Sequence, residues 1–291
     1  MSKLHCLNAG KADCFLLELE EGVKRYYILI DGGSKKEGNV LPAEYLRKRG
    51  IHKLDCIILT HLHQDHLGYL PEVADSLQVE RAILPYPPIP LSKKEAKGIG
   101  DEERIEDIAA FNRLWKILTG SRCKVDTTLP LTCPVLRFGT YELRCLFPFP
   151  DTASYVYLMM CRFQHERPER IRSMYDSIRT RFNGDSSIWI LKRGEQPVAL
   201  MCGDGYHASL VAAVGGYGIH VPIVKLSHHG RNDKGNLYYQ ESLIRSFRSE
   251  KIIITSDRET AALRMEEWSH IDNEAELLIT GLYEESAEIL F

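Results

Sequence analysis

The sequence predicts a mixed α/β domain, and three observations predict it. Short apolar runs alternate with helical stretches through the first third of the chain. One run, Asp55-Cys56-Ile57-Ile58-Leu59-Thr60, has the pattern of a buried strand and opens directly into a turn of His and Asp. At 291 residues and 44% hydrophobic, the chain can bury a large core as one domain or as two closely packed layers.

The elements follow in order. Strands are expected around Leu4-His5-Cys6-Leu7, Cys14-Phe15-Leu16-Leu17-Glu18-Leu19 and Tyr26-Tyr27-Ile28-Leu29-Ile30. Glu21-Gly22 turns the last two into a hairpin, and Asp31-Gly32-Gly33 ends the third. Pro42 to Arg49 reads as a short helix stopped by Gly50. Then come the strand to Thr60, the His/Asp turn, a helix from about Leu67, and a strand near Arg81-Ala82-Ile83-Leu84. Strands recur from Val135 and again from Ile188, which leaves a pseudo-duplication open. No linker or low-complexity tract divides the chain, so residues 1–291 read as a single domain.

Two segments interrupt this pattern as helical insertions, near 85–120 and 151–182. In the first, Pro85, Pro87, Pro88 and Pro90 make a stiff extended stretch before a charged helix from about Lys93 through Leu118. The second carries Arg162, Arg167, Arg170, Arg172, Arg179 and Arg181, interleaved with Tyr155, Tyr157, Phe163, Tyr175 and Phe182. Arginine and aromatics together hold phosphates and stack bases, which makes Arg167, Arg170 and Arg172 candidate substrate contacts. Glu166, Glu169 and Asp176 favour a plainer alternative, an amphipathic helix whose arginines pair on its own surface.

The formal net charge of -3 creates no global field for a polyanion, so a nucleic-acid substrate requires a local basic patch. The N-terminal residues lack the long apolar core of a signal peptide, and no stretch approaches the run needed to cross a bilayer. The eight cysteines are scattered without a CxxC pair and read as reduced core residues of a cytoplasmic protein.

The chemistry concentrates at His61-Leu62-His63-Gln64-Asp65-His66, where four metal-capable side chains occupy six positions after a strand. Mixed imidazole and carboxylate donors suit Zn, Mn or Fe in a hydrolytic site better than in a closed structural one. Three further segments stand at strand boundaries. Gly203-Asp204-Gly205 follows Ala199-Leu200-Met201-Cys202, Ser227-His228-His229-Gly230 follows Ile223-Val224-Lys225-Leu226, and Asn183-Gly184-Asp185-Ser186-Ser187 opens Ile188-Trp189-Ile190-Leu191. Each alone also reads as a turn. Acids and histidines that follow α/β strands gather at one sheet edge, which gives the set its weight.

The ordered set Ile30-Asp31-Gly32-Gly33, Thr60 to Gly68, Gly203-Asp204 and His228-His229-Gly230 resembles the metallo-β-lactamase superfamily over most of the chain. Within it, the sequence is most similar to the hydrolase domain of ComEC-type DNA-uptake proteins. Leu7 to Cys14, Asn183 to Ser187 and Ser227 to Gly230 carry that narrower likeness. Gly10-Lys11-Ala12-Asp13 departs from that branch's GQGD, and Arg231 replaces its Ser. The superfamily resemblance implies an αββα four-layer sandwich with two divalent metals, Zn or Mn, at one edge. By position it implies His61 and His63 on the first metal, Asp65, His66 and His228 on the second, and Asp204 bridging. Asp31 would buttress a ligand, joined behind the ligands by Asp13 and Asp185. Asp65 would also accept a proton, while His229 would orient substrate or satisfy the turn. Many members add a His to the first metal between the HxHxDH turn and the bridging Asp. Here His165 is the only His in that interval, and Asp185 or solvent is expected to fill its place.

The reading that follows is a metal-dependent hydrolase using a hydroxide that bridges two metals, a phosphodiesterase or nuclease with nucleic acid as leading substrate. Two alternatives stand: hydrolysis of a small ester, thioester or choline-phosphate type substrate under a closed lid, or a metal-binding scaffold with little catalysis.

Overall fold

The computed structural model describes residues 1–36, 38–97, 102–132, 134–149, 151–215, 219–231, 241–272 and 274–291. Two seven-stranded sheets form its centre. In spatial order the first runs Ser286–Leu290, Lys3–Leu7, Phe15–Glu21, Lys24–Ile30, Cys56–Ile58, Arg81–Ile83 and Lys124–Asp126. Its first three pairings are antiparallel and its last three parallel. The second runs Val135–Phe138, Tyr141–Phe147, Ile188–Arg193, Gln196–Met201, Ile223–Lys225, Lys251–Ile254 and Glu276–Ile279. It repeats the pattern, three antiparallel pairings followed by three parallel ones. The sheets are thus built alike, which is the structural content of the recurrence of strands from Val135.

Strand alternation assigns the layers. Along Phe15–Glu21, Phe15, Leu17 and Leu19 enter the core between the sheets, where they meet Ile28, Ile58, Trp189, Met201 and Ile253. Leu16 points the other way, into a core of helices that includes Leu46, Leu70 and Phe111. On the far side Val224 and Ile252 pack against helical residues Leu243 and Trp268. Helix, sheet, sheet, helix is the αββα arrangement that the sequence resemblance implies. Fully buried Trp189 anchors the central layer; truncating it to Ala would cost about 3–5 kcal/mol.

The helix expected from Lys93 through Leu118 is two helices, Lys93–Ala96 and Glu102–Gly120, and residues 98–101 lie outside the described residues. The second arginine-rich segment folds as Tyr155–Phe163, Pro168–Arg179 and Phe182–Asp185. Glu102–Gly120 packs on the short helices Gln64–Leu67 and Leu70–Ser76, so this segment leans on the His/Asp turn. No described helix is long and apolar enough to cross a membrane.

Candidate metal centre

The parallel strands deliver the polar side chains to a common edge. Asp31 follows Ile30, Thr60 to His66 follow Ile58, Asp204 follows Met201, His228 and His229 follow Lys225, and Thr255 follows Ile254. Tight backbone contacts seat these turns. A Cβ on Gly68 would overlap the Gly33 carbonyl, and one on Gly203, at φ 50°, would overlap Ser186 Oγ. Asp31, His228 and His229 are non-glycine residues in the left-handed region, at φ 60°, 46° and 56°. Strain of this kind persists where surrounding structure over-determines it, commonly at functional sites.

Two groups of donors emerge among the described residues: Asp65, His66, Asp204 and His229, and, behind them, Asp13, Asp31 and His66. His66 Nε2 lies 3.3 Å from Asp204 Oδ1, and His229 Nε2 lies 3.1 Å from Asp65 Oδ2 and 3.7 Å from Asp204 Oδ2. His61 Nε2 is 3.9 Å from the same Oδ2 and 3.1 Å from His63 Nδ1. His228 Nε2 reaches Asp204 Oδ2 at 3.7 Å, and its side chain is partly open to solvent. Asp204 therefore faces both halves of the predicted ligand set. His229, read from sequence as a substrate-orienting group, lies in the compact four-donor group, and His228, read as the ligand, lies beside it.

Hydrogen bonds behind the ligands choose which ring nitrogen faces inward. Asp31 accepts from Thr60 N and Thr60 Oγ1, both at 2.8 Å, and from His66 Nδ1 at 2.8 Å, which leaves His66 Nε2 toward Asp204. Thr255 Oγ1 donates to Asp13 at 2.7 Å, so it accepts from His229 Nδ1 at 2.9 Å, and His229 Nε2 faces the site. Thr60 spends its proton on Asp31 and so accepts from His61 Nδ1 at 3.2 Å. His63 Nε2 meets the carbonyl of Arg179 at 3.3 Å, an acceptor only. His61 Nε2 and His63 Nδ1 face each other, and each would present a lone pair to an ion held between them. Their 3.1 Å separation is close to the edge of a tetrahedral site with metal–nitrogen bonds of about 2.0–2.1 Å, roughly 3.3 Å.

Charge in the pocket points the same way. Burial works to discharge His66, but Asp204, Asp31, Asp13 and Asp65 prevail and hold its pKa well above the usual value. His229, also opposed by burial, is pushed up to about 9 by Asp204, Asp13 and Asp65. His61 is driven well below the usual value by burial and by the neighbouring His66 and His63. His228 falls to about 4, chiefly through burial. Asp204, despite burial, is held well below the carboxylate range by His229 and His66. In the metal-free protein, protons on His66 and His229 balance a cluster of carboxylates. Even so, buried His66 Nε2 and Asp204 Oδ1 lack a properly directed hydrogen bond. A divalent cation fits this donor set, replacing protons that only partly satisfy it.

The remaining predicted residues are placed elsewhere. Asp185 Oδ2 accepts from Tyr86 at 3.1 Å and Ser154 at 2.5 Å. His165 is exposed beyond the Tyr155–Phe163 helix. Arg170 stands 3.6 Å from Glu166 and Arg172 3.6 Å from Glu169, the pairing the plainer helix reading describes. At about 1.5 Å per residue, Arg170 and Arg167 lie roughly 14 and 18 Å along the helix from Arg179. Sequence reasoning passed over Lys225, Thr255, Thr60, Ser186 and Arg179. A lysine inside the apolar run Ile223-Val224-Lys225-Leu226 was the readable signal for the first; the others are ordinary residues whose roles come from tertiary placement.

The sequence model of the metallo-beta-lactamase superfamily matches residues 7–123, which contain Asp13, Asp31 and the whole His61–His66 turn. Together with the fold, this match supports membership of the chain in that superfamily, whose members are metal-dependent hydrolases. The chain is similar in structure to the metallo-beta-lactamase fold protein YhfI from Bacillus subtilis, at 11% identity and a TM-score of 0.50 over 99% of each chain. It is also similar to Igni18, a metallo hydrolase from the archaeon Ignicoccus hospitalis, at 12% identity and a TM-score of 0.47 over 100% of this chain and 99% of that one. A diphosphatase from the PhnP family aligns at 13% identity and a TM-score of 0.44, over 96% of this chain and 84% of the other. No curated protein matches the chain.

Proposed function

We propose that this protein is a binuclear metal-dependent hydrolase acting on phosphodiesters. One observation carries the binuclear reading: a second pair of donors, His61 Nε2 and His63 Nδ1, stands beside the Asp65, His66, Asp204 and His229 group, and His61 shares the approach to Asp204. In this reading His61 and His63 would hold the first ion, Asp65, His66 and His229 the second, and Asp204 would serve both. Zn fits the nitrogen-rich donors and Mn the carboxylates. When bound, the pair of ions supplies an acidified water at neutral pH and positive charge for the departing oxygen.

The chain's own groups do the rest. Asp31 and Thr255 hold His66 and His229 in the tautomers that point Nε2 inward. Asp65, kept ionised by His66 and His229 against burial, takes a proton as the nucleophile forms. His228, neutral at physiological pH, offers a hydrogen bond to a substrate oxygen at the mouth. The narrower resemblance to the ComEC-type domain and the arginine-rich helical segment favour an anionic diester. A nucleic-acid strand is the extended form of this substrate and would continue past Arg179 along the helix toward exposed Arg170 and Arg167.

An activity panel tests the proposal. Protein loaded with Zn or Mn should cleave a chromogenic phosphodiester and leave a lactone and a thioester nearly untouched. Preference for the lactone or thioester would overturn the substrate class, and inactivity on all of them with metal bound would leave the scaffold reading.

A further inference from the structure

The end of the Pro168–Arg179 helix meets the candidate metal centre at His63. Asp107, on the Glu102–Gly120 helix, is fully buried. Arg179, the last residue of the Pro168–Arg179 helix, donates from Nε to Asp107 Oδ2 at 2.9 Å. Carbonyls in a helix's last turn lack intrahelical partners and carry the negative end of its dipole. The carbonyl of Arg179 is such a group, and it stands 3.3 Å from His63 Nε2. The ring of Phe182 meets that of His63 edge-on, at 5.5 Å between centroids, and is itself backed by Tyr86 and Tyr175.

We propose that Asp107 and Arg179 are positioning residues for the first metal: their buried ion pair anchors the helix end whose carbonyl fixes the tautomer and rotation of His63. The inference rests on the metal reading above. An acceptor at Nε2 keeps the proton there and frees Nδ1 for the ion. The first ion has two imidazoles and a shared carboxylate, so loosening one imidazole removes a large share of its holding power. Groups standing behind metal ligands are commonly worth 10–100-fold in affinity. The pair also gives a buried charge a task beyond stability, since apolar packing would serve stability as well.

The test uses Asp107→Asn and Arg179→Met, with Arg179→Lys as a conservative control. Stepwise Zn affinities are measured by competition with a chromophoric chelator, and folding by circular dichroism. The first-site affinity should fall by about tenfold or more, the second-site affinity should hold, and Arg179→Lys should recover part of the loss. Folded variants with both affinities unchanged would overturn the proposal. A second readout needs neither variant nor metal. Long-range proton–nitrogen correlation spectra of histidine-labelled wild-type protein should show His63 protonated at Nε2 and bare at Nδ1, and the opposite tautomer would overturn the proposal. A protein that takes up no metal at all would refute the proposed function, while the spectra would still judge the tautomer.

Discussion

Lys225 and Asp13, both fully buried, form an ion pair directly behind the carboxylate of Asp204. Lys225 Nζ also donates to the Gly203 carbonyl at 2.8 Å, which ties the turn that carries Asp204. Asp13 in turn holds Thr255 and, through it, His229. The pair is thus a cationic and anionic brace beneath the site.

Removing one partner strands the other. Lys225→Met should destabilise the metal-free protein by about 3–5 kcal/mol in urea unfolding, because Asp13 is left as a buried, uncompensated carboxylate. The pH dependence has a definite sign. Burial opposes ionisation of Asp13, but Lys225 and His66 hold its pKa down to about 2, below its unfolded value of 3.8. Its contribution is present above pH 3.8 and is lost as pH falls toward 2. Unfolding midpoints of wild type should therefore drop more steeply across that window than those of Asp13→Asn; parallel curves would contradict the account.

The neighbouring histidines should separate by phenotype. His229→Ala should lose the second ion on dialysis. His228→Ala should keep both ions yet turn over about a hundredfold more slowly, as loss of a positioned polar group at the mouth would cause. Metal analysis paired with kcat checks this, and loss of an ion from the His228 variant alone would reverse the assignment.

Replacing Arg167, Arg170 and Arg172 with Gln should weaken DNA binding and flatten its salt dependence, while hydrolysis of a small phosphodiester dye stays unchanged. Arg170 and Arg172 pair at 3.6 Å with Glu166 and Glu169 at the helix surface, each pair with one exposed partner, so phosphates can compete for them. Unchanged affinity and salt slope would confine the substrate to small diesters.

The mixed α/β character and the candidate His/Asp turn were legible because they are written locally, whereas the double-sheet sandwich was implied by the family resemblance and not by local pattern. Four donors within six residues, after a run ending in Ile57-Ile58-Leu59-Thr60, identify both a strand end and its chemistry. The roles of His228 and His229 were not, because adjacent residues in left-handed backbone depart from simple strand alternation, and Gly230 at φ 69° completes the bend. Lys225 was half-legible: a lysine in an apolar run signals a buried partner, but which carboxylate it meets comes into view only in the folded protein. The same holds for Asp107 and Arg179, which sit on separate helical segments and join only in the folded protein. Glu166 and Arg170, by contrast, are neighbours at helical spacing, and their pairing could be read directly.

Anomalous diffraction from crystals grown with Zn tests the central claim most directly. The account predicts two peaks roughly 3.5–4 Å apart. One should be bounded by His61 Nε2, His63 Nδ1 and Asp204, the other by Asp65, His66, His229 and Asp204. A single peak, or two that leave Asp204 uncoordinated, would contradict it.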